Sequence, residues 1–255
     1  GYFDYPDRVE GYKVKASSES FKEFYSHARL VWNSMSAVEK QHIIEAFSFE
    51  LAKVKNESVR QQVVDMFVNV DKDMATTIAD NVGANPPVGE HVPVTASSPA
   101  VSQANTPHYP NTLKVGVLIG NGFDGPEVRS AIETLQQHGV FIEFISEKLG
   151  YVTGTDGTRI KVDAIFVSTH NVLYDSLYVV GGRTDNQDIF DSNVSEFIDG
   201  AYSRYKPIGV ATTDQFYIYP SEDYHLAGVV FAANNPDFGT DFVTAIATRR
   251  FWDRR

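Results

Sequence analysis

Between residues 84 and 112 the chain has no Lys or Arg, a single acid (Glu90), and six of its eleven prolines. A tract so poor in large apolar groups cannot bury enough surface to offset its conformational entropy, so it reads as an extended linker or a surface-hugging strap. An irregular stretch of this length is unusual inside one compact domain. The fold is therefore sought separately on its two sides, 1–83 and 113–255. The first zone carries ten basic and thirteen acidic residues, and the last carries twelve and nineteen.

The N-terminal zone has helical periodicity. Ser20-x-x-Glu23 and Ser36-x-x-Glu39 both match the capping box, in which a hydroxyl and a carboxylate satisfy each other's free backbone donors. Phe21, Phe24, Ala28 and Val31 follow the first box at helical spacing, with Tyr25 and Trp32 one column over. Ile43, Ile44, Phe47, Leu51 and Val54 follow the second. A third helix is predicted from near Asn56, and a short fourth is predicted to be capped by Asp71 and closed by Gly83. Their one-sided apolar faces need a partner surface, either each other or something outside this chain.

The C-terminal zone alternates strand and helix. The apolar runs 113–119, 140–145, 176–182, 207–211 and 228–233 read as strands, and 151–162, with Asp156-Gly157 at its turn, reads as a hairpin. Helices are predicted from Pro126 to Gly139, near 192–205, and from near Thr240 through Phe251. Buried apolar strands separated by helices imply a parallel sheet covered on both faces. The fold class expected is α/β: a doubly wound, mostly parallel sheet, preceded by an all-α helical segment and the Pro-rich tract.

Composition excludes several functions. A formal charge of −11 argues against a nucleic-acid or anionic-membrane surface, and the absence of cysteine removes disulfides, thiolate metal sites and cysteine nucleophiles. No apolar run is long enough to span a bilayer, and the acidic, aromatic start does not read as a signal peptide, which leaves the compartment open. None of the seven histidines has metal-ligand spacing, and Asp185, Asp188 and Asp191 lack the glycine and terminal glutamate of a calcium loop, so no metal site is expected. The basic ending Arg249–Arg255 is expected to complement the dipole of a terminal helix.

Two motifs bear on chemistry. Gly120, Gly122 and Gly125 form G-x-G-x-x-G between a strand and a helix, with Glu143 about twenty residues on, as in a dinucleotide fingerprint. Pro126 places the third glycine before the helix, and Glu143 lies within its strand, so a tight structural turn competes with nucleotide binding. After the strand 207–211 come Thr212, Thr213 and Asp214, where an α/β hydrolase would carry its nucleophile. There is no G-x-S-x-G, and a β-branched threonine suits a strained turn poorly. His170 or His225 would have to act as its base.

With these residues in view, the chain resembles a known family. The Trp32 helix, the segment EKQHIIEAFSFEL at 39–51 and the Val63…Phe67…Val70-Asp71 ending are similar to the C-terminal helical region of monofunctional haem catalases. The segments LKVGVLIGNGFDG at 113–125, LGYVTGTDGTRIKVDA at 149–164, VLYDSLYVVGG at 172–182 and FIDGAYSRYKPIGVA at 197–211 resemble the extra C-terminal domain of large-subunit catalases. That domain belongs to the type 1 glutamine amidotransferase-like, PfpI-like superfamily, and the resemblance implies a flavodoxin-like fold. It also implies a parent that dismutes hydrogen peroxide on haem in a homotetramer, with this chain lacking the haem core and its barrel ligands. Active members of the superfamily use an acid near the first strand and a cysteine at the elbow. Here Glu127 matches the acid and Thr212 stands at the cysteine's position, so catalytic residues are expected to be absent and the site degenerate. The role expected is stability and assembly against the catalase β-barrel core and neighbouring subunits, with a holdase-like action on unfolded clients as a further expectation. The alternatives are a hydrolase or amidotransferase built on Glu127 and Thr212, or nucleotide binding at Gly120, Gly122 and Gly125.

Overall fold

The structure, a computed structural model, describes residues 1–89, 94–211 and 226–254. The chain divides into two compact units, Gly1–Thr106 and Pro107–Arg255.

The first unit packs four helices: α1 (Ser26–Ser34), α2 (Ala37–Ala52), α3 (Glu57–Phe67) and α4 (Lys72–Val82). Three starts follow the cap chemistry of the sequence. Ser36 and Glu39 form a reciprocal capping box, Asn56 caps α3, and Asp71 accepts the Met74 amide at the head of α4. Gly83 closes α4 at φ 65°, a left-handed conformation that costs an L side chain about 1 kcal/mol or more. The box at Ser20 does not form. A 3-10 turn occupies Glu19–Lys22, and the Glu23 carboxylate accepts from the Tyr25 and Ser26 amides at 2.9 and 2.7 Å, so the first helix begins later. Phe21 and Phe24 are consequently exposed, and Trp32 is the buried residue of α1. Ile44, Leu51, Val64, Phe67 and Ile78 build the core around it.

Residues 84–89 and 94–106 lie along this unit as a strap. The Asn85 amide donates to Gln61 Oε1, the Val88 amide to Asp65 Oδ1 and the Ser98 amide to Ser34 Oγ, and Asn33 Nδ2 donates to the Val94 carbonyl.

The second unit is flavodoxin-like. Six parallel strands run in the order β5-β2-β1-β6-β7-β8. They are β1 (Lys114–Ile119), β2 (Phe141–Ser146), β5 (Ala164–Ile165), β6 (Ser176–Gly181), β7 (Ile208–Val210) and β8 (Val229–Phe231). The hairpin β3 (Gly150–Thr153) and β4 (Arg159–Val162) is a separate antiparallel pair. Helices α5 (Gly125–Gln137) and α7 (Phe238–Thr248) bury one face of the sheet, and α6 (Gln187–Tyr202) buries the other.

Helix α6 begins earlier than periodicity predicts, and the two-residue edge strand β5 is too short to leave a pattern. Helix α7 stops at Thr248, where Arg249 turns to φ 67°, so the terminal arginines do not extend a helix. Instead the tail folds back. The Phe251 amide donates to the Tyr205 carbonyl, and Arg254, 7% exposed, lies over the Tyr202 ring and donates to the carbonyls of Ala227 and Lys206.

Candidate functional site

In an open α/β sheet, ligands settle at the carboxyl ends of the strands where the winding reverses. Here that point lies between β1 and β6. The glycine loop leaves β1 there, and the chain closes the crevice with its own backbone. The Gly120 amide donates to the Gly181 carbonyl at 2.6 Å, and Asn121 and Arg183 exchange two backbone hydrogen bonds of 2.8 and 2.7 Å. The Gly122 amide, in a residue at φ 85°, donates to Thr153 of the hairpin at 2.7 Å. The first three amides that would cradle a phosphate are thus already engaged.

Glycine is required at this joint for close approach. A Cβ on Gly120 would lie 2.9 Å from the Arg183 amide nitrogen, and one on Gly182 would lie 2.7 Å from the Asn121 carbonyl. Gly125 is the first residue of α5 rather than lying before it, with Asp124 as the cap. A Cβ at Gly125 would fall 2.3 Å from the Asp156 carboxylate at the hairpin tip. Asp124, Glu127 and Asp156 therefore surround the start of α5 with negative charge, and an anion there meets repulsion.

Glu127 sits in the first turn of α5, its amide donating to Asp124 Oδ1 at 2.9 Å. Beneath it lies Tyr178 of β6, whose phenol is pushed well above its ordinary value by burial first, and then by the Glu127 and Asp124 carboxylates. Thr212, Thr213, Asp214 and His225 lie outside the described residues, so the pairing of Glu127 with Thr212 has no geometry to report. His170 is exposed, and its Nδ1 accepts from the Val172 amide at 3.4 Å.

Glu143 does not face a ribose. It takes the Tyr174 hydroxyl at 2.9 Å and pairs with Lys114. Partial burial raises the Glu143 carboxyl, but the Lys114 and Tyr174 hydrogen bonds outweigh it and hold it below its ordinary value. Asp185 pairs with Lys148 at 2.7 Å, while Asp188 and Asp191 belong to α6. No cluster of three metal-ligating side chains occurs among the described residues.

Sequence reasoning missed the buried cation Lys206. It is 3% exposed, and its ammonium donates to the carbonyls of Asn171 and Tyr174 at 2.9 and 2.6 Å. Burial, together with Arg250 and Arg204, lowers its pKa to about 8. A lysine beside a proline at the head of an apolar strand carries no periodic signal of burial.

The helical unit holds an apolar groove of about 400 Å³, floored by Trp32, Phe47, Phe67, Val70 and Met74, with His27 as its polar liner. The Phe47 and Phe67 rings lie 4.6 Å apart there.

Comparison with known proteins matches both units. The family described as catalase-related immune-responsive covers residues 18–82, and the C-terminal domain found in long catalases covers 111–255. The chain is 46% identical to the catalase of Alkalihalophilus pseudofirmus, 42% to catalase-2 of Bacillus subtilis and 30% to catalase HPII of Pseudomonas putida. In each case the whole chain aligns, yet it spans only 37%, 38% and 36% of the relative's length. A helical unit of one catalase family model, joined to the C-terminal domain of another, places the chain in the long-catalase family, as a C-terminal region of it.

Proposed function

We propose that this chain is the stabilising and assembly region of a haem catalase, and that the conversion of hydrogen peroxide to water and oxygen is carried out by the rest of such a protein. The observation that carries this reading is the closed switch point: the turn that serves as a ligand cradle in related folds spends its amides holding β1, β6 and the hairpin together.

The two buried tyrosines of the α/β unit do not fit a haem ligand's place. A haem needs an axial donor facing a slot as wide as the macrocycle, and the two buried phenols are packed solid. The Tyr174 ring lies 3.0 Å from where a Cβ on Gly116 would stand, and Tyr178 lies against Phe238 and Phe242. The apolar groove supports assembly, since a concave apolar face of this kind is a natural seat for the core or a neighbouring subunit. The test deletes this region from a catalase that carries it. Haem content and initial activity per haem should be retained, while the thermal-inactivation half-life shortens severalfold. An unchanged half-life, or peroxide decomposition by the purified chain alone, would refute the proposal.

A holdase action on unfolding proteins is supported by a separate feature. Tyr2, Phe3, Tyr5, Tyr12, Phe21 and Phe24 are all exposed along the segment preceding α1. Light scattering of a heat-aggregating client, with and without the chain, tests it, and superimposable curves would remove it.

A further inference from the structure

Residues 94–106 bury little. Ser102 is 5% exposed, but Val94 and Val101 remain 37% and 38% exposed. What holds this segment down is therefore a few polar contacts: Asn33 and Ser34 hold its start at Val94 and Ser98, and the two contacts of its far end, at Ser102 and Gln103, converge on one carboxylate. Glu39 of α2 accepts the Ser36 amide on Oε2 at 2.8 Å as half of the capping box, and the Ser102 hydroxyl on the same oxygen at 2.9 Å. Its other oxygen, Oε1, accepts the Gln103 amide at 2.8 Å. The Ser102 hydroxyl also accepts from the Ala104 amide, so the strap's own turn is organised around the same point.

We propose that Glu39 is the buckle of a releasable strap: its carboxylate fastens the Ser102–Gln103 end of residues 94–106 to the helical unit, and loss of its charge frees that end while the Asn33 and Ser34 contacts and the four helices stay in place. Segments held by few hydrogen bonds and little apolar area open locally without global unfolding. Charge-assisted bonds to a carboxylate are about twice as strong as neutral ones, so neutralising one group weakens both strap bonds at once.

Among the described residues, the groups that hydrogen-bond Glu39 are uncharged. Ser36 comes from the turn before α2, and Ser102 and Gln103 come from the strap, while the neighbouring Lys40 lies over the Trp32 ring at 5.3 Å. Partial burial pulls the Glu39 carboxyl up, but hydrogen bonds from the Ser36 and Gln103 amides and the Ser102 hydroxyl outweigh it and hold it below the usual range. The strap is therefore fastened above that range and released as pH falls through the depressed value.

Hydrogen exchange of the full chain, read on peptides covering 94–106 and on the first turn of α2, tests this. Glu39→Gln should speed exchange of the strap amides by about tenfold or more at neutral pH. Ser36→Ala should loosen only the start of α2. A Ser102→Ala, Gln103→Pro double variant, which leaves α2 intact, should free the strap without fraying the helix. After correction for intrinsic rates, wild-type strap protection should fall with acid while that of Glu39→Gln stays flat. Strap protection unchanged in Glu39→Gln, or in the double variant, would overturn the proposal and leave Glu39 as a helix cap alone.

Discussion

Replacing Tyr178 by Phe should stabilise the α/β unit. Tyr178 sits in β6 between Val117 and Gly209, fully buried, with ring centroids 5.4 and 6.0 Å from Phe238 and Phe242. Its hydroxyl has no hydrogen-bond partner among the described residues. An unmet buried hydroxyl costs roughly 1–3 kcal/mol, and deleting it leaves a void smaller than a methyl group. The expected net gain is about 1–2 kcal/mol, or a rise of roughly 2–8 °C in melting temperature for a unit of this size. Urea unfolding monitored in parallel for wild type and variant measures it.

The alkaline limb gives a second reading. The folded phenol titrates above its unfolded value, so its contribution is present below about pH 10 and is lost as the unfolded chain ionises above that point. The difference between wild type and Tyr178→Phe should therefore widen with pH above about 10. A variant destabilised by about 1 kcal/mol or more would show that the hydroxyl is bonded, and the reasoning from an unmet group would fail.

Three further outcomes test other joints. Gly182→Ala places a Cβ 2.7 Å from two backbone atoms at φ 120°, where nothing can give, and should cost on the order of 3 kcal/mol in denaturant unfolding; Gly157→Ala, at φ 85° with open space around it, should cost about 1 kcal/mol. Lys206 titrates near 8 when folded, below its unfolded value, so the unfolded chain binds more protons above that pH. Wild-type stability should therefore rise between about pH 8 and 10, by an amount that Lys206→Met abolishes. Arg254→Ala removes a guanidinium lying over Tyr202 together with two bonds to carbonyls, and should lower stability by roughly 2–3 kcal/mol in denaturant unfolding.

The sequence made most of the framework legible because the relevant signals are local. Asp71, Asn56 and the Ser36–Glu39 pair act within one helical turn, and the buried strands β1 and β6 are continuous apolar runs between glycines. The features that were not legible are tertiary. The Ser20–Glu23 pattern is as good a box as Ser36–Glu39, but Phe21 and Phe24 are exposed, and a short helix without a buried face gains little from packing. The tail arginines look like dipole partners until α7 ends at Thr248, and Arg254 then finds its place by packing over Tyr202, a contact 52 positions back that no window can contain. Residues 84–112 illustrate the same division. Composition restricts them to linker or strap, and only the side chains of Asn33, Ser34 and Glu39 decide between the two over 94–106.

The glycine loop shows why a spacing motif underdetermines chemistry. G-x-G-x-x-G specifies three positions where a Cβ is forbidden, and a bound phosphate is only one thing that can forbid it. At Gly120 the obstacle is the Arg183 backbone, at Gly122 it is a φ of 85°, and at Gly125 it is the Asp156 carboxylate. Each reason is sufficient alone, and all three are internal to the chain. The same obstacles also make the turn a poor starting point for gaining a ligand: freeing the Gly120 and Asn121 amides means separating β1 from the chain after β6, and removing Asp156 uncovers a helix start still flanked by Asp124 and Glu127. In this unit the three glycines of the motif serve the cohesion of β1, the chain after β6 and the hairpin.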